Sequence, residues 1–182
     1  KVIVTDTQLS ALTSNTLTSL KQNNSRAASE AFSRLGYASW SNLPGTKEEV
    51  EAISKIIKNS NIYLGSDVSE TNIKKMSSAG ELSQYKVIHF ATHGVTVPEF
   101  PELSSIVLSQ LKDEQEVEDG YLTMKEIEKL NIKADFVNLS ACQTGLGKIY
   151  AGEGVVGLAQ SFLKAGANGL AVSLWNVADK ST

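Results

Sequence analysis

Two short stretches carry the residue types that covalent catalysis needs. VNLSACQTGLGK, residues 137–148, holds the single cysteine of the chain, Cys142, where an apolar run gives way to glycines. VIHFATHG, residues 87–94, ends its own apolar run with His93 beside Gly94. A free thiol has a pKa near 8.5 and is mostly protonated at neutral pH, whereas a neighbouring imidazole lowers that value by forming an ion pair and leaves a thiolate nucleophile. Glycine serves the same chemistry, because a backbone N–H approaches a reacting carbonyl oxygen only where no side chain obstructs it. The amides of Gly94 and Cys142 are therefore the candidates for an oxyanion hole. The plainer reading makes Cys142 a small buried hydrophobe and Gly94 a simple turn. The matched strand-end settings of the two motifs favour the dyad.

Those motifs need elements to bring them together. In PGTKEEVEAISKIIKN, Thr46 and Glu49 have capping-box spacing ahead of Val50, Ile53, Ile56 and Ile57, which predicts a helix. NIYLG reads as a short strand, and Ser69 as the cap of a helix through ETNIKKMSSA. YKVIHFA (85–91) is a buried strand, SSIVLS (104–109) another extended run, and LTMKEIEKL a helix with a second capping box, Thr123 and Glu126, stapled by Leu122 and Ile127. DFVNLSA is again a buried strand, GVVGLAQSFLKAG a helix stopped by Gly166, and GLAVSLW a third strong strand. Residues 6–42, rich in Ser, Thr, Asn and Ala, suggest only loop and short helix. Continuous apolar strands alternating with helices predict an α/β fold with a mostly parallel sheet covered on both faces. Ligand sites of such sheets lie at the carboxyl ends of strands, here ATHG, ACQTG and WNVAD.

Composition excludes several classes. With 182 residues and 41% hydrophobic content the chain can build one sizeable core, and 17 basic against 20 acidic residues give a net charge of −3, without the basic excess of a nucleic-acid binder. A single cysteine cannot form an internal disulfide, which favours a reducing, cytoplasmic setting. No apolar run reaches the roughly 18 residues of a membrane span, and KVIVTDTQ lacks signal-peptide features. The chain starts at a strand-like VIV and stops at ADKST straight after another strand, so it reads as a piece of something longer.

Other motifs point less far. His89 and His93 in HFATH have the spacing of a helical zinc pair, but they sit in a strand-like run, so no metal is expected and His89 reads as a strand residue satisfied by its neighbours. AGEGVVG holds a literal GxGxxG at Gly152, Gly154 and Gly157, with Asp179 beyond it. A dinucleotide site needs those glycines at the strand's end, and here a long loop separates them from Ser140. They read instead as loop shape and close helix packing, and no cofactor is implied. Gly147 and Lys148 lack the rest of a phosphate loop. The acidic clusters at 48–51, 113–119 and 125–129 read as solvated faces or loops, with Glu116 to Asp119 able to border a groove.

LPGTKEEV (43–50), VIHFATHG, DGYLTMKEI (119–127), VNLSACQTGLG, GEGVVGLAQSFLKAGA (152–167) and AVSLWNVAD (171–179) together resemble the CHAT family, the caspase-like domain associated with tetratricopeptide repeats. His93 precedes Cys142 by 49 residues, close to the roughly 50 of caspase-type sites. The resemblance implies a caspase-like three-layer α/β/α sandwich, lacking here its C-terminal helix and last strand. It implies a cysteine endopeptidase with His93 and Cys142 as catalytic residues, and a pocket near Ser173, Trp175 and Asp179. A protein or peptide substrate and a repeat or other sensor region in the full-length protein are the implied partners. The alternative is a caspase-like domain kept for interaction or signalling without catalysis.

Overall fold

The computed structural model describes residues 18, 27–34, 40–95, 97, 103–110, 118–143 and 153–172. Five strands form its sheet: β1 (Val87–Val95), β2 (Ser105–Val107), β3 (Tyr121–Thr123), β4 (Phe136–Gln143) and β5 (Leu170–Val172), in the order β3-β2-β1-β4-β5. β1 pairs parallel with β4 and β4 with β5, while β2 is antiparallel to both β1 and β3. Four strands thus share one direction and β2 alone is reversed, so the sheet is mixed but mostly parallel. The helices are α1 (Ala27–Arg34), α2 (Pro44–Ile56), α3 (Glu70–Ser78), α4 (Met124–Ile127) and α5 (Glu153–Lys164).

Alternation along β1 divides its side chains between two faces. Ile88 and Phe90 meet the main core, where Ile73 of α3, Ile127 of α4 and Leu158 and Phe162 of α5 pack with Ile106, Leu122, Val137 and Leu139. The rings of Phe90 and Phe162 lie 5.6 Å apart. His89 and His93 take the opposite face, under α2 and the Trp40 segment. Phe32 of α1 stacks on Tyr121 of β3 on this same side. Helices on both faces make an α/β/α sandwich, and both faces being covered explains why the strands read as nearly continuous apolar runs.

Several predicted elements form as expected. The Ser69 hydroxyl accepts from the Asn72 N–H at 3.2 Å, and Glu126 closes the second capping box by accepting from the Thr123 N–H at 2.9 Å. That helix is a single turn. α5 ends in the hydrogen-bond pattern of a Schellman motif, with Ala167 N–H donating to Phe162 O at 3.1 Å and Gly166 N–H to Leu163 O at 3.1 Å. Gly166 sits at φ +110, and a Cβ there would overlap the Ile132 carbonyl. Gly166→Ala is therefore expected to cost about 3 kcal/mol or more, which lowers the melting temperature by roughly 6–12 °C in a thermal melt.

Two local expectations are corrected. Thr46 does not cap α2: Pro44 starts the helix earlier, Leu43 is the cap residue, and the Thr46 hydroxyl donates back to the Leu43 carbonyl at 2.7 Å. Proline's fixed φ and missing N–H suit the first helical position, and the shift frees Glu49 for another partner. NIYLG is not a strand: residues 61–64 join no ladder, and Gly65 opens a short 3-10 turn.

Candidate active site

β1 extends past YKVIHFA through His93 and Gly94, and β4 past DFVNLSA through Cys142. Their parallel register pairs Val87 with Phe136 and, without a bulge, His93 with Cys142 and Gly94 with Gln143. Adjacent strands lie about 4.8 Å apart, so a 49-residue offset in sequence becomes a single rung in space. Both residues lie within two positions of the carboxyl ends of their strands. Gly94 is buried, and β2 supplies its other register neighbour, Ile106.

The same ladder carries a second pair four rungs earlier, His89 with Asn138. There the Asn138 side-chain amide donates to His89 Nδ1 at 2.9 Å, and His89 Nε2–H donates to Glu49 Oε1 at 3.0 Å. Both ring nitrogens are used, so His89 is a strand histidine satisfied by its neighbours. Its partner is the glutamate that the displaced start of α2 released. At this rung the in-register side chains of β1 and β4 meet directly.

His93 differs in having only one nitrogen engaged. Its Nε2 lies 2.7 Å from the Ser41 carbonyl oxygen, which can only accept, so the proton resides on Nε2 and the Nδ1 lone pair is left open. Nδ1 is shielded from solvent and hydrogen-bonds to no described residue. The Trp40 ring lies 5.2 Å from the imidazole, tilted by 41°. This contact comes from the segment whose sequence gave the least to read. The available signal was Trp40 itself, a large aromatic in a stretch poor in large apolar residues.

Away from the rung of His93 and Cys142, the solvated reading of the acidic clusters fails in part. Lys74 Nζ lies 2.7 Å from Glu70, 2.8 Å from Glu118 and 2.8 Å from Glu126, and both Glu70 and Glu126 are buried. These carboxylate oxygens lie within 4.8 Å of one another, a spacing that would suit a cation, and the Lys74 ammonium supplies that charge. Burial pushes the Glu70 carboxyl well above the usual range, with the Glu126 charge adding to it and Lys74 opposing. Burial raises Glu126 too, but hydrogen bonds from Lys74 and Thr123 outweigh it and hold that carboxyl below its ordinary value. Asp119 is raised to about 6 by burial, even though it accepts from the backbone N–H groups of Ser29 and Tyr121.

Gly154 and Gly157 of the apparent dinucleotide motif lie inside α5, where a Cβ on Gly157 would press on the Met124 sulfur. Gly157 thus serves close helix packing. An apolar cavity of about 200 Å³ lies at the other end of β1, between Val50, Ile53, Met76 and Leu82, near Val87 rather than His93. The pocket residues expected by resemblance, Ser173, Trp175 and Asp179, as well as Gly152 and Glu116, lie outside the described residues.

A family model described as CHAT domain matches residues 3–182. The chain belongs to the CHAT domain family. The match begins well before LPGTKEEV, so α1 and the Trp40 segment fall inside the CHAT domain. No curated protein and no solved structure matches the chain. Family membership ties this CHAT domain to the caspase-like peptidases at the level of kinship. Among its described residues no helix is long and apolar enough to cross a membrane.

Proposed function

We propose that this CHAT domain is a cysteine endopeptidase acting through His93 and Cys142. The observation that carries the reading is the single-rung register between the two residues at the carboxyl end of the parallel strands. The side-chain contact between His89 and Asn138 on the same ladder supports it, since it shows the reach across that pair of strands. The open Nδ1 of His93 supports it further, because a general base needs a lone pair not already taken by a donor.

In this mechanism His93 Nδ1 takes the thiol proton, and the Cys142 sulfur attacks the scissile carbonyl carbon. The amides of Gly94 and Cys142 hold the oxyanion. His93 then protonates the leaving amine as the C–N bond breaks, and water, deprotonated by the same nitrogen, hydrolyses the thioester. Throughout, the Ser41 carbonyl holds Nε2–H and stabilises the imidazolium when it forms. Ser173, Trp175 and Asp179 enter as pocket residues on family resemblance alone, with Asp179 favouring a basic side chain before the cut. Control by a repeat or other sensor region of the full-length protein belongs to the same proposal.

The test is alkylation of Cys142 by iodoacetamide across pH 5–10, alongside cleavage of a peptide library. A paired thiol should react well below its ordinary pKa of about 8.5, with the inflection returning there in His93→Ala. An inflection near 8.5 in both proteins, with no library cleavage, sinks the peptidase and leaves the interaction domain standing.

A further inference from the structure

The His93 imidazole is touched twice by one dipeptide. Ser41 accepts from Nε2–H at the ring's edge, while Trp40 lies against the ring at 5.2 Å. A single hydrogen bond fixes one atom of an imidazole but leaves its plane free to swing, and a second contact on the ring restrains that plane. Trp40 is itself anchored, because its Nε1–H donates to the Tyr121 hydroxyl at 2.7 Å. Tyr121 is 2% exposed and stacks on the fully buried Phe32 at 4.6 Å and 18°, and Phe32 meets Trp40 edge-on at 6.3 Å. One carboxylate ties both ends of this cluster, since Asp119 accepts from Ser29 N–H of α1 and from Tyr121 N–H of β3.

We infer that Trp40 is a positioning residue for His93, held from the β3 edge of the sheet by the Tyr121 hydroxyl. Among the described residues Tyr121 makes no hydrogen bond to the imidazole and acts through Trp40. Because Ser41 is bonded to Trp40, displacing the indole also displaces the carbonyl that keeps the proton on Nε2. The open Nδ1 thus depends on an aromatic chain running from α1 across the sheet. The catalytic consequence rests on the peptidase reading, whereas the effect on the imidazole does not. A misplacement of about 1 Å at a reacting group can cost on the order of 100-fold in rate.

The experiment uses the full chain with ¹⁵N-labelled histidine and reads the His93 tautomer and ring-current shift by NMR, together with kcat and KM on a cleavable peptide. The parent should show its neutral-form proton on Nε2. Trp40→Phe and Trp40→Ala should move the His93 nitrogens toward a tautomer mixture and lower kcat by about 10- to 100-fold with KM nearly unchanged. Tyr121→Phe, which removes one oxygen and keeps the stack on Phe32, should shift both readouts in the same direction by less. This variant decides the matter if Trp40→Ala fails to unfold cooperatively. Parent-like ¹⁵N shifts in both Trp40→Phe and Tyr121→Phe overturn the inference. Should Cys142→Ala leave turnover intact, the peptidase reading fails, yet the NMR readouts still judge the positioning role separately.

Discussion

Cys142→Ala and His93→Ala are each expected to abolish peptide cleavage, with kcat/KM falling by about 10⁴-fold or more, and the double variant should be no worse than the poorer single one. The non-additivity is the informative part. A thiolate without its imidazole loses both its activation and the acid that expels the amine, while an imidazole without the thiol has nothing to activate. Either loss removes the covalent route entirely. Independent contributions would instead multiply, so a double variant about 10⁴-fold below each single one would mean that the two residues do not work as a unit. His89→Gln provides the contrast, since His89 is satisfied by Glu49 and Asn138 and lies four rungs from the dyad. Its loss should alter stability rather than the pH profile of turnover. A His89→Gln profile displaced as far as that of His93→Ala would reassign the base.

How much of this was legible in the residues depends on the range of the forces involved. β1 and β4 could be read because burial on both faces leaves a local mark, an unbroken run of apolar and β-branched side chains. The end of α5 could be read because Gly166 carries its own conformational signature. Even the neighbourhood of His93 and Cys142 was suggested by two strand-end motifs, although their shared rung belongs to the sheet and not to either motif. Trp40 was not readable as a partner of His93. Nothing local says that a segment 52 residues upstream will place its Ser41 carbonyl on that ring. Thr46 was misread for a subtler reason: its spacing to Glu49 suits a capping box, but Pro44 competes for the helix start and prevails. The charges of Glu118 and Glu126 looked like parts of solvent-facing clusters because a carboxylate in sequence carries no mark of the lysine it will meet.

That lysine carries the largest expected effect on stability. Lys74→Met is expected to destabilise the fold by about 3–5 kcal/mol, because removing one partner of a buried ionic group strands the others. Three carboxylates within 4.8 Å would then face one another without the ammonium that now sits 2.7–2.8 Å from each. A drop in melting temperature of about 10 °C at neutral pH is the readout. The loss should depend on pH with a definite sign. A carboxyl whose folded pKa is raised holds its proton in the native state but not in the unfolded one, so its contribution to stability falls as pH rises above the ordinary carboxylate value. Glu70 already behaves this way through burial, and Asp119 does so up to about pH 6. Glu126, held low by Lys74 and Thr123, behaves oppositely in the parent: its contribution is present above the ordinary carboxylate pKa and is lost on acidification. Removing Lys74 takes away the largest contribution that keeps Glu126 low, leaving the Thr123 hydrogen bonds, and takes away what opposes the rise of Glu70. The gap between parent and Lys74→Met should therefore widen steadily from pH 5 to pH 8, and a gap independent of pH would show that the lysine stabilises by packing its alkyl chain alone. Glu70→Gln in the Lys74→Met background should recover part of the loss, since the amide oxygen can still accept the Gly120 N–H that Glu70 now accepts at 2.9 Å. Gly120 leads directly into Tyr121, and Tyr121 holds Trp40. A loosened charge cluster should accordingly reach His93 along that path, lowering turnover in Lys74→Met at temperatures where the fold is still intact.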